Sequence, residues 1–79
     1  MPITSEIKNT KELGDLLRSR REEMGVTQEQ AAHLCNVGPR FIGELENGKG
    51  TTQLGKVLQV IQGYGLILTA STRSAGRRK

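Results

Sequence analysis

Cysteine and histidine are nearly absent from this sequence, with Cys35 and His33 the only residues of their types among 79. One thiol cannot form an internal disulfide, and one thiol with one imidazole is far short of the ligand set of a zinc site. Tryptophan is missing, and Phe41 and Tyr64 are the only aromatic residues, so the core must be small and mostly aliphatic. A chain this short buries a modest fraction of its surface, so we expect it to gain stability by self-association.

Long apolar runs and catalytic residue sets are also missing. No segment resembles a signal peptide or is apolar enough to span a bilayer, so a soluble, cytoplasmic chain with no membrane partner is expected. No Ser/His/Asp set or pair of catalytic carboxylates can be assembled, and Gly48-Lys49-Gly50 is too short for a phosphate-binding loop. We therefore expect no enzyme and no cofactor, with His33 on an exposed helix face and Cys35 as a small buried filler.

Acidic residues do not occur at all in residues 47–79, which carry six bases, whereas residues 1–46 carry eight acids and six bases. A one-sided basic half favours phosphate binding through attraction and counterion release. For the basic end, Arg77-Arg78-Lys79, a solvated tail that only aids solubility is an equally good interpretation.

The hydrophobic pattern divides the chain into an arm over residues 1–9, a domain over 10–72 and a basic disordered tail over 73–79. Within the domain, a first helix is predicted to follow an N-cap at Thr10 and to run to about Met24, and two more are predicted over about 28–35 and 39–47. A fourth helix is predicted from a cap at Thr51 or Thr52 to about Gln62, followed by Gly63 at its C′ position. The inner face of that helix is expected to consist of Leu54, Val57, Leu58 and Ile61.

The segment between Thr27 and Leu45 has the spacing of a helix-turn-helix unit. Thr27 and Gln30 form a Thr-x-x-Gln capping box, and Asn36 stands where the chain must turn with positive φ. Pro39 suits the first position of the second helix, which Asn47-Gly48 ends. The joint spacing involves Gln28, Ala32, Asn36, Ile42 and Leu45.

The exposed side of the second helix of this unit enters the DNA major groove in known examples. Five residues of its N-terminal half are predicted to face outward: Pro39, Arg40, Phe41, Gly43 and Glu44. An ordinary helical hairpin, with the apolar positions serving only as core, is the alternative. The outward residue set favours DNA binding over that alternative.

After Gly63 the periodicity changes to that of a β-strand, predicted over residues 65–72 with Leu66, Leu68 and Ala70 on one face. A single strand in a helical domain has no partner for its backbone groups. We therefore expect it to pair antiparallel with the same strand of a second copy, through Leu66, Ile67, Leu68, Thr69 and Ala70. The predicted fold is all-α, with four helices and one C-terminal strand that pairs across a homodimer.

These motifs resemble the phage-repressor/Cro (Xre) family over about residues 10–62. The resemblance rests on Arg21-Glu22 before Gly25, on Thr27-Gln28 and on the run Leu45-Glu46-Asn47-Gly48-Lys49. More narrowly, the chain resembles the HipB-like antitoxins of toxin–antitoxin operons, through Thr51-Thr52-x-Leu54, Val57-Leu58-Gln59-x-Ile61 and the terminal strand.

The resemblance implies roles for matching positions. Gln28, Asn47 and Lys49 would contact phosphates, Arg40 and Glu44 would read base edges, and Arg21 and Glu46 would form a buried ion pair. Asn36 departs from the usual glycine, and the apolar Pro39, Phe41 and Gly43 remove hydrogen-bond donors from the groove. Readout would then depend on Arg40, on contacts with thymine methyl groups and on DNA shape.

The function expected from this resemblance is a dimeric repressor that binds a palindromic operator in double-stranded DNA. It would be the antitoxin that binds and neutralises a HipA-like toxin kinase. A freestanding or phage-derived repressor without a toxin partner is one alternative, and a protein-interaction module that does not bind DNA is another.

Overall fold

The computed structural model describes residues 5–50 and 53–72, and in these ranges the chain forms four α-helices. They are α1 (Thr10–Met24), α2 (Gln28–Cys35), α3 (Pro39–Glu46) and α4 (Leu54–Gly63). The predicted tail over 73–79 and the predicted caps Thr51 and Thr52 lie outside the described residues.

Helix α1 begins one residue earlier than the sequence predicts. Its N-cap is Asn9, whose side-chain oxygen accepts a hydrogen bond from the Glu12 N–H at 2.8 Å. Thr10 is already helical, and its hydroxyl donates to the Gly48 carbonyl at 2.7 Å. The Thr10 hydroxyl therefore ties the start of α1 to the end of α3. Gly25 ends α1 with a φ of 72°.

The helix-turn-helix unit has the backbone geometry that its sequence predicts. Thr27 and Gln30 form the capping box of α2, and Asn36 takes a left-handed conformation with a φ of 59°. Pro39 lies in the first turn of α3, and Gly48 follows the helix with a φ of 78°. Because these caps leave few alternatives for the chain, the bounds of α2 agree with the prediction.

Helix α3 packs against both α1 and α2, while α4 packs against α2. At the contact of α1 with α3, Gly14 is buried, and a Cβ built on it would lie 2.5 Å from the Leu45 carbonyl oxygen. At the contact of α2 with α4, a Cβ on Gly63 would lie 2.5 Å from the Cys35 Sγ. The two helix pairs approach this closely because neither glycine has a side chain.

The buried core is aliphatic except for one aromatic ring. Tyr64 is almost fully buried, and burial raises its pKa to about 12. Its hydroxyl has no hydrogen-bond partner among the residues that the structure describes. Cys35 is buried, in agreement with its predicted role as filler. The core comprises Leu17, Ala31, Ala32, Cys35, Ile42, Leu45, Val57, Val60, Ile61 and Tyr64.

The inner face of α4 differs from the prediction. Val57, Val60 and Ile61 are buried, whereas Leu54 and Leu58 are exposed. The helix also begins later, after Gln53, and it includes Gly63 instead of ending before it. The left-handed residue that follows is Gly65, with a φ of 72°.

Residues 66–72 do not form a strand in this single chain. Leu66 is half-buried against the core, and its N–H donates to the Ile61 carbonyl at 3.0 Å. The expected apolar face does not continue, since Leu68 and Ala70 are exposed. Because the predicted strand pairs with a second copy, its formation and the homodimer remain predictions.

Candidate nucleic-acid interface

The outward side of α3 begins with Arg40, whose side chain is 91% exposed. Pro39 is exposed beside it, but Phe41, Gly43 and Glu44 are only partly exposed. Of the five residues predicted to face outward, these three are thus less accessible than Pro39 and Arg40. Phe41 packs against the core, and Gly43 lies under the side chain of Gln28, whose Oε1 would be 3.6 Å from a Cβ at that position.

Glu44 brings two predicted site residues together. Its Oε2 accepts hydrogen bonds from the Arg40 Nε at 3.3 Å and from the Lys49 Nζ at 3.2 Å. The Lys49 ammonium, with a smaller contribution from Arg40, lowers the pKa of the Glu44 carboxyl below its ordinary value. The Lys49 N–H also donates to the Glu44 carbonyl at 3.1 Å, so Lys49 is held beside the end of α3 by its backbone.

Lys56 on α4 is a further base at this surface, and sequence reasoning missed it. Its Nζ lies 5.9 Å from the centroid of the Phe41 ring, within range of a cation–π contact. Among residues 5–50 and 53–72 it has no carboxylate partner. The contact joins residues of two different helices, so the spacing of residues along the chain does not predict it. The sequence indicates only that Lys56 lies in the half of the chain without acidic residues.

The bases of α1 are compensated within their own helix. Arg18 pairs with Glu22, and Arg20 pairs with Glu23, with N–O distances of 3.4 and 3.3 Å. Lys11 is similarly 3.4 Å from the Asp15 carboxylate. Around α3, by contrast, three exposed bases have a single carboxylate among them in the described residues, that of Glu44. These bases are Arg40, Lys49 and Lys56.

A buried ion pair fixes α3 to α1. The Arg21 guanidinium donates to both carboxylate oxygens of Glu46, from Nε at 2.5 Å and from Nη2 at 3.1 Å. The side chains are only 12% and 3% exposed. The hydrogen bond with Glu46 raises the pKa of Arg21, so the guanidinium stays charged. Its remaining Nη1 donates to the Val26 carbonyl at 2.9 Å.

Gln28 takes part in the same network, which the sequence did not indicate. Its Nε2 donates to the Glu46 Oε1 at 3.0 Å, so the first residue of α2 is joined to the last residue of α3. Gln28 and Asn47 are exposed overall, as groups that reach a phosphate must be. The structure thus places Gln28, Asn47 and Lys49 around one end of α3, and Arg40 at the other.

Two related sequences or sequence families show to which family the chain belongs. The model of a family described as "Helix-turn-helix domain" matches residues 12–73. An HTH-type transcriptional regulator of Sinorhizobium fredii, y4mF, described as uncharacterised, is 44% identical over 63 residues, which are 80% of this chain and 83% of the relative. The chain belongs to the helix-turn-helix family. It is a helix-turn-helix transcriptional regulator of the Xre-like type.

Solved structures share this fold. A chain of the HipB–O4 20mer complex superposes with a TM-score of 0.80 at 21% identity, over 89% of this chain and 99% of the other. A chain of the HipA–HipB–O2–O3 complex gives the same values. The restriction-modification controller protein C.AhdI of Aeromonas hydrophila gives a TM-score of 0.66 at 24% identity, over 73% of this chain and 84% of that one. The predicted HipB-like helical fold is thereby confirmed.

Neither a cluster of potential metal ligands nor a membrane-spanning helix is present in the described part of the chain. Residues 5–50 and 53–72 contain no cluster of three or more potential metal ligands, and His33 lies exposed on α2. Nor does this part include a helix whose length and apolar character would let it cross a bilayer.

Proposed function

We propose that this regulator is a repressor that binds a palindromic operator as a homodimer, with α3 of each subunit in a major groove. The observation that carries the proposal is the position of Arg40, almost fully exposed at the first turn of α3, on the surface that also carries Lys49 and Lys56. A helix-turn-helix protein uses this part of its second helix to contact base edges. In a symmetric dimer, the two α3 helices would enter grooves about 34 Å apart.

Base readout and phosphate contact would fall to different residues. Arg40 can donate two parallel hydrogen bonds to guanine, while Lys49, Gln28 and Asn47 lie where they can approach the backbone. The apolar Pro39, the partly exposed Phe41 ring and Gly43 offer contacts with thymine methyl groups and close backbone approach. Part of the discrimination would then come from DNA shape.

Arg40→Ala and Lys49→Ala should differ in what they remove. Arg40→Ala is expected to weaken binding to the operator by about 1–3 kcal/mol and to have a smaller effect on unrelated DNA. Lys49→Ala is expected to weaken both alike and to reduce the slope of log K against log salt by about one unit per subunit. Fluorescence anisotropy would measure both, using a duplex selected by the wild-type chain from a random library and an unrelated duplex of equal length.

Neither substitution should alter folding much, since the Arg40 side chain is almost fully exposed and that of Lys49 is half-exposed. Thermal unfolding of each variant provides that control. Equal losses on both duplexes for Arg40→Ala would show that Arg40 anchors a phosphate and does not read a base. If the wild-type chain selects no sequence and binds no duplex at low salt, the interaction-module alternative would replace the proposed function.

An apolar groove supports the proposed dimer. Leu58 and Ile61 of α4 line it together with Leu66, Ile67 and Leu68 of the segment that follows. Ile67 is 88% exposed and Leu68 is 59% exposed, although adjacent apolar residues of this size normally gain from burial. A second copy would cover these side chains and pair its residues 65–72 antiparallel with the same segment, because a twofold axis reverses the chain direction.

Ile67→Asp and Leu68→Asp should each shift the chain towards monomer with little loss of helical structure. Both side chains are exposed in the single chain, so aspartate would be solvated there but buried in the dimer. Sedimentation analysis of oligomeric state and far-UV circular dichroism would test this. Leu34→Asp is the matched control, since Leu34 is an exposed leucine on α2, outside the groove. A tight dimer in both groove variants would place the interface elsewhere.

We further propose an antitoxin role, in which the protein neutralises a HipA-like toxin kinase. The support is the HipB fold and the complex of HipB with HipA among the matching structures. A kinase-like protein encoded by an adjacent reading frame should co-purify with this chain and lose its growth inhibition when the two are co-expressed. A wild-type chain that binds DNA but has no such neighbour would be a freestanding repressor.

A further inference from the structure

Glu44 is an acid on a surface otherwise suited to phosphates. It projects from the same side of α3 as Arg40, one turn further along, and its carboxylate is shared between Arg40 and Lys49. Two of the three cations of this surface are therefore engaged by one internal anion in the free protein.

We propose that Glu44 is a specificity-determining residue that holds Arg40 back from DNA of the wrong sequence and releases it on the correct one. The inference rests on the proposed DNA-binding function. On a wrong sequence, the carboxylate keeps its hydrogen bonds to the two cations and repels nearby phosphates. On the correct sequence, a base that donates a hydrogen bond to the carboxylate replaces the hydrogen bond from Arg40.

The chemistry of the major groove limits what that base can be. An ionised carboxylate only accepts hydrogen bonds, so guanine O6 and N7 and thymine O4 offer it nothing. The donors in this groove are the amino groups of cytosine and adenine, and acidic side chains ordinarily contact that of cytosine. Because Arg40 favours guanine, one subunit would read a G·C pair with Arg40 and a neighbouring C·G pair with Glu44.

The geometry makes release of Arg40 easier than release of Lys49. The Arg40 side chain is almost fully exposed, and an arginine four residues before a glutamate is the less favourable order for such a helix pair. Lys49 is also fixed through its backbone N–H to the Glu44 carbonyl, so it stays close to Glu44 in either state. Arg40 is thus the mobile member, and its freedom to reach a base depends on the state of Glu44.

Glu44→Gln should therefore increase affinity for DNA of the wrong sequence. The substitution keeps the shape of the side chain but removes the charge that repels phosphates and restrains both cations. On an unrelated duplex we expect binding roughly tenfold tighter than that of the wild type. The slope of log K against log salt should become steeper by about one unit per subunit. On the selected duplex the gain should be absent or reversed, so the ratio of the two affinities falls.

Glu22→Gln is the matched control. Glu22 also accepts a hydrogen bond from an arginine four residues earlier, Arg18, at 3.4 Å, but on α1. The Glu22→Gln variant loses one negative charge from an arginine–glutamate pair, as Glu44→Gln does. Any general effect of net charge on DNA affinity will therefore appear in both variants. The gain in affinity for the unrelated duplex should be larger for Glu44→Gln than for Glu22→Gln.

A second selection from the random library, with the Glu44→Gln chain, tests the base assignment. The preference for a C·G pair at one position of each half-site should weaken, while the preference assigned to Arg40 should remain. An unchanged consensus, or an affinity ratio that changes no more than in Glu22→Gln, would overturn the inference while leaving the proposed function intact. A wild-type chain that binds neither duplex would instead refute the proposed function itself.

Discussion

Glu46→Ala is expected to destabilise the fold by about 3–5 kcal/mol, because it leaves the Arg21 guanidinium buried without its carboxylate. Arg21 would keep only the Val26 carbonyl as a partner, and the Gln28 amide would lose its acceptor. Since a domain of this size commonly has a total stability of only about 5 kcal/mol or somewhat more, the variant should be partly unfolded at room temperature. Urea unfolding followed by circular dichroism measures the loss.

The Arg21→Ala variant and the double variant complete the thermodynamic cycle. Each single change strands the other buried charge, so the double variant should lose less than the two single losses added together. Glu22→Ala, at an exposed pair on α1, is the control and should cost no more than about 0.5 kcal/mol. Strictly additive losses would mean that the two side chains do not interact in solution.

Local backbone requirements explain why the helix-turn-helix unit could be predicted from sequence. Thr27 and Gln30 satisfy the free N–H groups of α2 within four residues of chain, and Asn36 tolerates the left-handed turn that follows. Pro39 predefines the first turn of α3. Each of these signals depends only on residues that are close in sequence, so it can be recognised without knowledge of the tertiary fold.

The face that α4 buries was predicted less well, because tertiary packing decides it. Leu54 and Leu58 have the helical spacing of core residues, yet Val57, Val60 and Ile61 are the buried residues. The buried face of α4 is therefore rotated around the helix from the apolar stripe that the spacing predicts. Hydrophobic periodicity alone does not distinguish a stripe that packs within the chain from one that is available to another molecule.

In the candidate interface, too, local features could be predicted from the sequence and tertiary contacts could not. The position of Arg40 follows from its place in the first turn of α3, which the sequence indicates. The pairing of Glu44 with Lys49, the contact of Lys56 with Phe41 and the bond from Gln28 to Glu46 depend on how loops and helices meet. Identity and spacing of charges therefore predicted which residues could contact DNA, but not which of them restrain each other.

Gly14→Ala is expected to destabilise the protein, although alanine is the better helix former. The new Cβ would lie 2.5 Å from the Leu45 carbonyl oxygen and 2.7 Å from that of Glu46, so α1 and α3 would have to separate. Overpacking of this kind costs about 1–3 kcal/mol and occasionally more. This cost should exceed the stabilisation of about 1 kcal/mol that alanine provides over glycine through its higher helix propensity. The displaced α3 carries Arg40, so DNA affinity should fall with stability.

Gly55→Ala is the matched control for this prediction. Gly55 is also a helical glycine, but a Cβ built on it meets nothing within 4 Å among the described residues. The same substitution there should stabilise the protein by roughly 0.4–1 kcal/mol, through the reduced entropy of the unfolded chain. In urea unfolding, the free energy of unfolding should thus decrease for Gly14→Ala and increase for Gly55→Ala. A Gly14→Ala variant as stable as the wild type would show that α1 and α3 are not held in this close contact, and that α3 is positioned by the Arg21–Glu46 pair without it.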